Sequence, residues 1–198
     1  MSKSKAVSLS LILLVLLFLF NCSDSTEPTI DEPTELIPLK IGNSWDYILT
    51  HYDSNGTIIN SNEQIDELYK DTVISGITWY AYKEDYISYF YALSNKSDGV
   101  WVYFGNIDSS VLFYKYPTFT GEKHLEYEVI SLNTEVTTNA GNFKCLHIKY
   151  DFSGDGYTHL EVFIAPGIGK VKSLQYGLRS DNSSYLEYKS ELKSYNLQ

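Results

Sequence analysis

At 198 residues, 43% of them hydrophobic, the chain is long enough to bury the core of one domain. Its formal net charge of −10, from 25 acidic and 15 basic residues, argues against a nucleic-acid partner, whose phosphates call for basic patches. Only two cysteines, Cys22 and Cys145, are present, so stability has to come from packing rather than from a disulfide framework.

The N-terminus starts with Lys3 and Lys5, runs through the almost wholly apolar residues 7–20 and ends at Cys22, the three parts of an export signal. The unbroken apolar run 11–20 falls short of the roughly 20 residues that a helix needs to cross a bilayer core, which makes a permanent transmembrane anchor the lesser reading. Leu19-Phe20-Asn21-Cys22 resembles the lipobox of a bacterial lipoprotein precursor. In that family diacylglycerol is added to the cysteine thiol and a peptidase cuts just before it. The resemblance therefore implies a signal peptide at 1–21, Cys22 as the lipid anchor, and membrane attachment through acyl chains, each buried CH2 contributing about 0.8 kcal/mol. Asn21 departs from the small residue usual at that place, so an ordinary secretory cut elsewhere, with Cys22 a thiol, is the alternative. Ser23 follows Cys22 in place of the aspartate that some bacteria use for inner-membrane retention. The resemblance thus implies the outer membrane of a Gram-negative bacterium, on its periplasmic or its surface face. Without residues 1–21 the chain keeps 177 residues and a net charge of −12, and Cys145 has no intramolecular partner, as expected of a buried, inert thiol.

Residues 22–38 hold Asp24, Glu27, Asp31, Glu32 and Glu35 with Pro28, Pro33 and Pro38 and no basic residue, the composition of a disordered acidic tether. Such a segment spans roughly 20 Å as a coil and up to about 50 Å if extended. A single β-rich domain is expected over 39–198.

Within it, period-two patterning and turn signals every 8 to 12 residues or so predict strands. Residues 44–52 lead into Asp53-Ser54-Asn55-Gly56, and Asn-Gly between apolar runs is a strong hairpin signal, with the return from Ile58. Residues 63–70 fit a helix stripe through Ile65, Leu68 and Tyr69 as well as a strand, with the surroundings favouring strand. A second hairpin joins 71–74 to 77–83 through Ser75-Gly76. Further strands are expected at 86–94, 100–105, 111–116, 124–132, 135–138, 143–152, 157–165, 170–175 and 185–195. Short connections imply antiparallel pairing, since parallel pairs need long crossovers. The expected fold is all-β: a curved antiparallel sheet, half-barrel or sandwich.

Pro38-Leu39-Lys40-Ile41-Gly42-Asn43-Ser44-Trp45-Asp46-Tyr47, Asn139-Ala140-Gly141-Asn142-Phe143-Lys144-Cys145 and Phe163-Ile164-Ala165-Pro166-Gly167-Ile168-Gly169-Lys170-Val171 together resemble a family of secreted proteins described as TapB-like. The match covers the two ends of the domain and informs fold more than activity. The Gly, Pro and Asn in the last two segments read as turn chemistry. By fold analogy with the periplasmic half-barrels LolA and LolB, such a sheet could hold a lipid.

The sharpest metal candidate is Asp151, Ser153 and Asp155, which with Gly156 match the first, third, fifth and sixth positions of a calcium loop. Position twelve is Val162 rather than glutamate, and a plain hairpin turn explains the same residues. Cys145 and His147, two apart, share a strand face, but such neighbours stand about 7 Å apart, too far for a ready catalytic dyad. His51, His124 and His159 show no metal-ligand spacing. The chain also carries 18 Tyr, 9 Phe and 3 Trp. In Trp79-Tyr80-Ala81-Tyr82 and Tyr86-Ile87-Ser88-Tyr89-Phe90-Tyr91 they occupy both strand faces, as core, as cross-strand pairs or as a stacking platform. No catalytic set and no cofactor motif emerges. The expected function is a lipid-anchored envelope module, non-enzymatic, that binds a glycan, lipid or partner protein. The alternatives are a structural or assembly lipoprotein without a small ligand and, less favoured, an envelope hydrolase.

Overall fold

The computed structural model describes residues 35–83, 91–154 and 156–198, with Ser153 and Gly154 described by backbone alone. Residues 1–21, expected to be a signal peptide, Cys22, and most of the expected tether lie outside the described residues. Among the described residues twelve strands follow one another: β1 (Ser44–Tyr52), β2 (Ile58–Ile74), β3 (Ile77–Lys83), β4 (Tyr91–Lys96), β5 (Gly99–Phe104), β6 (Ser109–Lys115), β7 (Lys123–His124), β8 (Tyr127–Thr138), β9 (Gly141–Gly154), β10 (Tyr157–Ala165), β11 (Gly169–Leu178) and β12 (Ser184–Asn196). All join in one antiparallel sheet in the order β6-β5-β4-β3-β2-β1-β12-β11-β10-β9-β8-β7. The all-β, curved-sheet expectation holds, and among the described residues the strands form one sheet, with no second sheet to make a sandwich.

Local chemistry accounts for the strand limits. The β1–β2 turn is closed by Asp53, whose Oδ1 accepts from the backbone N–H of Asn55 and Thr57, while Gly56 takes the positive φ of 85° that the turn needs. Residues 63–70 are strand, in the middle of the 17-residue β2: each half of β2 finds a full antiparallel partner, β1 on one side and β3 on the other. Residues 63–67 ladder with β1 and residues 67–70 with β3, and these long-range backbone pairings decide the segment in favour of strand over the helical stripe. Between the strands expected at 86–94 and 100–105 only a two-residue turn remains, because β4 runs on to Lys96 and β5 begins at Gly99. The expected pieces 124–132 and 135–138 belong largely to the one strand β8, through two register irregularities against β9. The 86–94 strand is described only from Tyr91.

Residues 35–38, assigned above to the tether, belong to the folded domain. Leu36 and Ile37 are buried, the Glu35 carbonyl accepts from Gly167 N–H, and the Ile37 carbonyl accepts from Asn95 Nδ2. Two apolar side chains in an otherwise acidic, proline-rich stretch are enough to dock it.

The curvature brings the sheet ends together. No ladder joins β6 to β7, but His124 Nε2 meets the Leu112 carbonyl at 2.8 Å, Lys115 N–H donates to Tyr127 Oη at 2.9 Å, and Lys115 pairs with Glu122. Inside lies one core built on Trp45, Leu68, Val100, Val129, Ile148, Ile164, Val171 and Leu192. Trp45 and Tyr47 tie β1 across it, donating to the carbonyls of Ile168 and Lys170 at 2.6 and 2.8 Å. Gly99, at φ 137°, presses so closely on β6 that a Cβ there would lie 2.0 Å from the Tyr114 carbonyl oxygen. Gly99→Ala should therefore cost about 1–3 kcal/mol in backbone strain and a further 1–3 kcal/mol in overpacking. Gly76→Ala, with a φ of 78° but nothing within 4 Å, should cost about 1–2 kcal/mol. Urea unfolding midpoints of the two variants compare them directly.

Candidate functional site

On the concave side of β1–β6 lies a chamber of about 330 Å³. Trp45 and Tyr47 reach it from β1, Tyr82 from β3, Tyr91 and Leu93 from β4, Val102 and Phe104 from β5, and Phe113 and Tyr114 from β6. A register shift between Val100 and Trp101 in the β5–β6 ladder accounts for two consecutive residues of β6 reaching one cavity. The volume falls at the small end of the range typical of small-molecule sites, which are mostly apolar with a few placed polar groups.

Here the placed groups are Asp66 from β2 and Lys170 from β11. Lys170 Nζ lies 4.0 Å from Asp66 Oδ2 and 4.4 Å from the centre of the Tyr47 ring. Asp66 Oδ1 accepts from Gln64 Nε2 at 2.6 Å. Burial holds the Tyr47 and Tyr114 phenols above their usual range, so both stay neutral at any physiological pH. The chamber is thus a neutral aromatic box with one cation and one anion on a single wall.

The sequence candidates fall elsewhere. Cys145 is fully buried, and burial pushes its thiol up to about 12, which leaves no thiolate for nucleophilic attack. His147 turns instead to Glu161, with Nε2 to Oε2 at 3.2 Å, and stacks on Phe163 at 4.3 Å. His159 addresses the other oxygen of the same carboxylate at 3.6 Å and stacks on Tyr176 at 4.1 Å. Among the described residues no group of three His, Cys, Asp or Glu is placed to hold a metal. Of the calcium-loop candidates, Asp151 is exposed and paired with Lys149 at 2.8 Å, while Asp155 and the Ser153 side chain lie outside the described residues. The aromatic run at 79–82 divides by face: Tyr82 lines the chamber, whereas Trp79 is buried against Tyr103 with Lys96 above its ring. Of 86–91, only Tyr91 is described, and it too lines the chamber.

In the sequence Trp45, Tyr47 and Lys170 stand inside motifs that imply fold rather than a site, and Asp66 stands in no motif at all. Asp66 and Lys170 are 104 residues apart and meet only once β11, β12, β1 and β2 lie side by side. No spacing rule carries that signal.

Among published structures, a candidate exported protein with a YmcC-like fold from Bacteroides fragilis superposes with a TM-score of 0.53 at 13% identity, covering 81% of this chain and 98% of that one. A candidate lipoprotein from Parabacteroides distasonis gives 0.46 at 14% identity over 83% and 100%. A candidate outer membrane lipoprotein-sorting domain from Vibrio parahaemolyticus gives 0.22 at 11% over 82% and 88%. The first establishes the fold; the other two carry no argument. No protein-family model matches the chain, and no curated protein does.

The two imidazoles on Glu161 set a pH dependence. Burial is the largest influence on each and holds both below the usual 6.5, against the pull of the Glu161 carboxylate. The unfolded chain therefore binds these protons more readily than the folded one. Their contribution to stability is whole above about pH 6.5 and declines as the pH drops below it. Urea unfolding at about pH 8 and about pH 5.5 should show the fall, and His147→Gln with His159→Gln should flatten it.

Proposed function

We propose that the chain is a non-enzymatic lipoprotein of the cell envelope, held at the outer membrane through acyl chains on Cys22, whose domain binds a small apolar ligand in the aromatic chamber. The observation that carries the ligand reading is the chamber itself: apolar, aromatic, and of a size suited to a small molecule. Export and anchoring rest on Leu19-Phe20-Asn21-Cys22 and Lys3 and Lys5, and a candidate exported protein shares the fold. The TapB-like resemblance belongs to the same reading, as a statement about secretion and fold.

A structural or assembly role is favoured by a different observation. Alternate hairpins of an antiparallel sheet turn at the same end, and at that end Ile58, Ile107, Leu125, Phe152, Tyr157 and Leu178 are all exposed. An apolar rim of this kind suits a protein contact.

Two experiments separate the parts. Labelled palmitate should enter the wild-type protein and not Cys22→Ser, which should leave the membrane fraction; label in the variant would refute the anchor. For the chamber, the neutral fluorophore N-phenylnaphthylamine should bind the detergent-free Cys22→Ser chain saturably. Leu93→Trp, or Val102→Phe should the first fail to fold, should weaken it about tenfold by filling the space, while Tyr157→Ser on the rim leaves it unchanged. Equal weakening by the rim variant would move the site to the outer surface.

A further inference from the structure

We propose that Lys170 is the head-group site of the chamber, its ammonium taking the carboxylate of an amphipathic monoanion whose apolar part lies against the aromatic wall. This rests on the chamber being a ligand site. Among the described residues Lys170 and Asp66 are the acidic and basic side chains on its lining, so they bear on which head group it accepts.

Their hydrogen-bonding states differ. A lysine ammonium carries three donors and no acceptor. Among the described residues that of Lys170 makes no hydrogen bond: its neighbours are the Tyr47 ring face at 4.4 Å and Asp66 Oδ2, which at 4.0 Å is a contact of charge without a shared proton. Its side chain keeps 35% of its surface accessible against 14% for Asp66. Asp66 has already spent one oxygen on Gln64 and turns the other towards Lys170. Tyr47 is spent as well, since its hydroxyl donates to the Lys170 carbonyl. Asp66 Oδ2 keeps acceptor capacity, but the three donors of Lys170 are the larger unused capacity of the pair and sit on the more accessible side chain.

A carboxylate fits that vacancy better than its rivals. It completes a charge-assisted hydrogen bond at about 2.7–2.9 Å, a bond a neutral head group makes only weakly. A dianion would place its second charge beside Asp66 and be repelled by it. A cationic head group would have to displace Lys170 to reach Asp66 Oδ2, the less accessible side of the pair. The backbone accompanies the placement: Gly169, at φ 105°, takes a conformation that L side chains rarely adopt, and Lys170 follows it on the lining of the chamber.

The test uses three probes of equal chain length on the Cys22→Ser full chain at about pH 8, where a free carboxyl is ionised: dodecanoate, its methyl ester and dodecyltrimethylammonium. Dodecanoate should bind about tenfold or more tighter than the ester, the scale of a hydrogen bond to a charged group. Lys170→Met should remove that preference while leaving ester affinity within about twofold, and Lys170→Arg should restore it. Asp66→Asn should tighten dodecanoate and leave the ester alone, because it removes a competing anion. A preference that survives Lys170→Met, or a cation that binds best and is weakened by Asp66→Asn, would overturn the head-group assignment. Equal binding of acid and ester, both abolished by Leu93→Trp, would overturn it too while sparing the chamber. Failure of all three probes to bind would overturn the chamber reading and this one with it.

Discussion

Glu67 stands in two ladders at once, opposite Ser44 on β1 and opposite Lys83 on β3, and the shape of the domain depends on that double pairing. The first half of β2 serves β1 and the second half serves β3, so the strands on its two sides are offset along its length by most of a strand. A sheet with such an offset cannot lie flat, since the twist of each pair adds to the stagger and coils the whole. Coiling is what sets Tyr82, Tyr91, Phe104 and Phe113, which all follow β2 in sequence, opposite Trp45 and Lys170 on the far side of it. The chamber is the space between the two halves, and Leu68, the one fully buried residue of β2, sits next to the residue where they part.

Coiling also leaves two edges to be managed, because an unpaired strand is a template for association. The edges meet without a ladder. A hydroxyl and an imidazole stand in for backbone partners: Tyr127 Oη accepts from Lys115 N–H, and His124 contacts the Leu112 carbonyl. Tyr114, Tyr127 and Tyr150 pack ring to ring along this seam, with centroids 6.5 and 5.3 Å apart. Phenol rings suit the position, since they bury a large apolar body and still offer a polar tip to a strand edge. Tyr47, Tyr82, Tyr91, Tyr114, Tyr127 and Tyr150 are thus the material of the seam and of the chamber wall.

What could be read in the sequence follows from how local the determining physics is. Ser44–Tyr52, Ile77–Lys83 and Tyr157–Ala165 were legible to the residue because alternation and a glycine turn act over a few positions. Residues 63–70 were ambiguous because Ile65 and Tyr69 are exposed in the strand, so the apolar pattern that separates helix from strand was never imposed there. Leu36 and Ile37 were lost in an acidic stretch, where composition spoke louder than two core side chains. At the site, the aromatic excess was visible but its division was not. Which face of β3 turns inward is set by pairing with β4 and by the coiling of the whole, and Phe113 and Tyr114 line one cavity only through an irregularity in the β5–β6 ladder. His147 was weighed against its strand neighbour Cys145, yet its partner is Glu161 on β10, reached across the sheet rather than along it.

The pairing of one lysine with one aspartate in an aromatic wall also bears on why the chamber exists as space. Two charges 4.0 Å apart, neither fully removed from water, gain little from each other and would lose more if apolar side chains closed over them. Filling the chamber with larger residues would bury that pair and strand the Lys170 donors, a penalty that grows with each water displaced. The ring of Tyr47 shields Lys170 on one side and leaves it open on the other, so the pair resists collapse where an all-apolar lining would invite it. The charged groups that suit a ligand's head are thus also the groups that keep a volume ready for its apolar part.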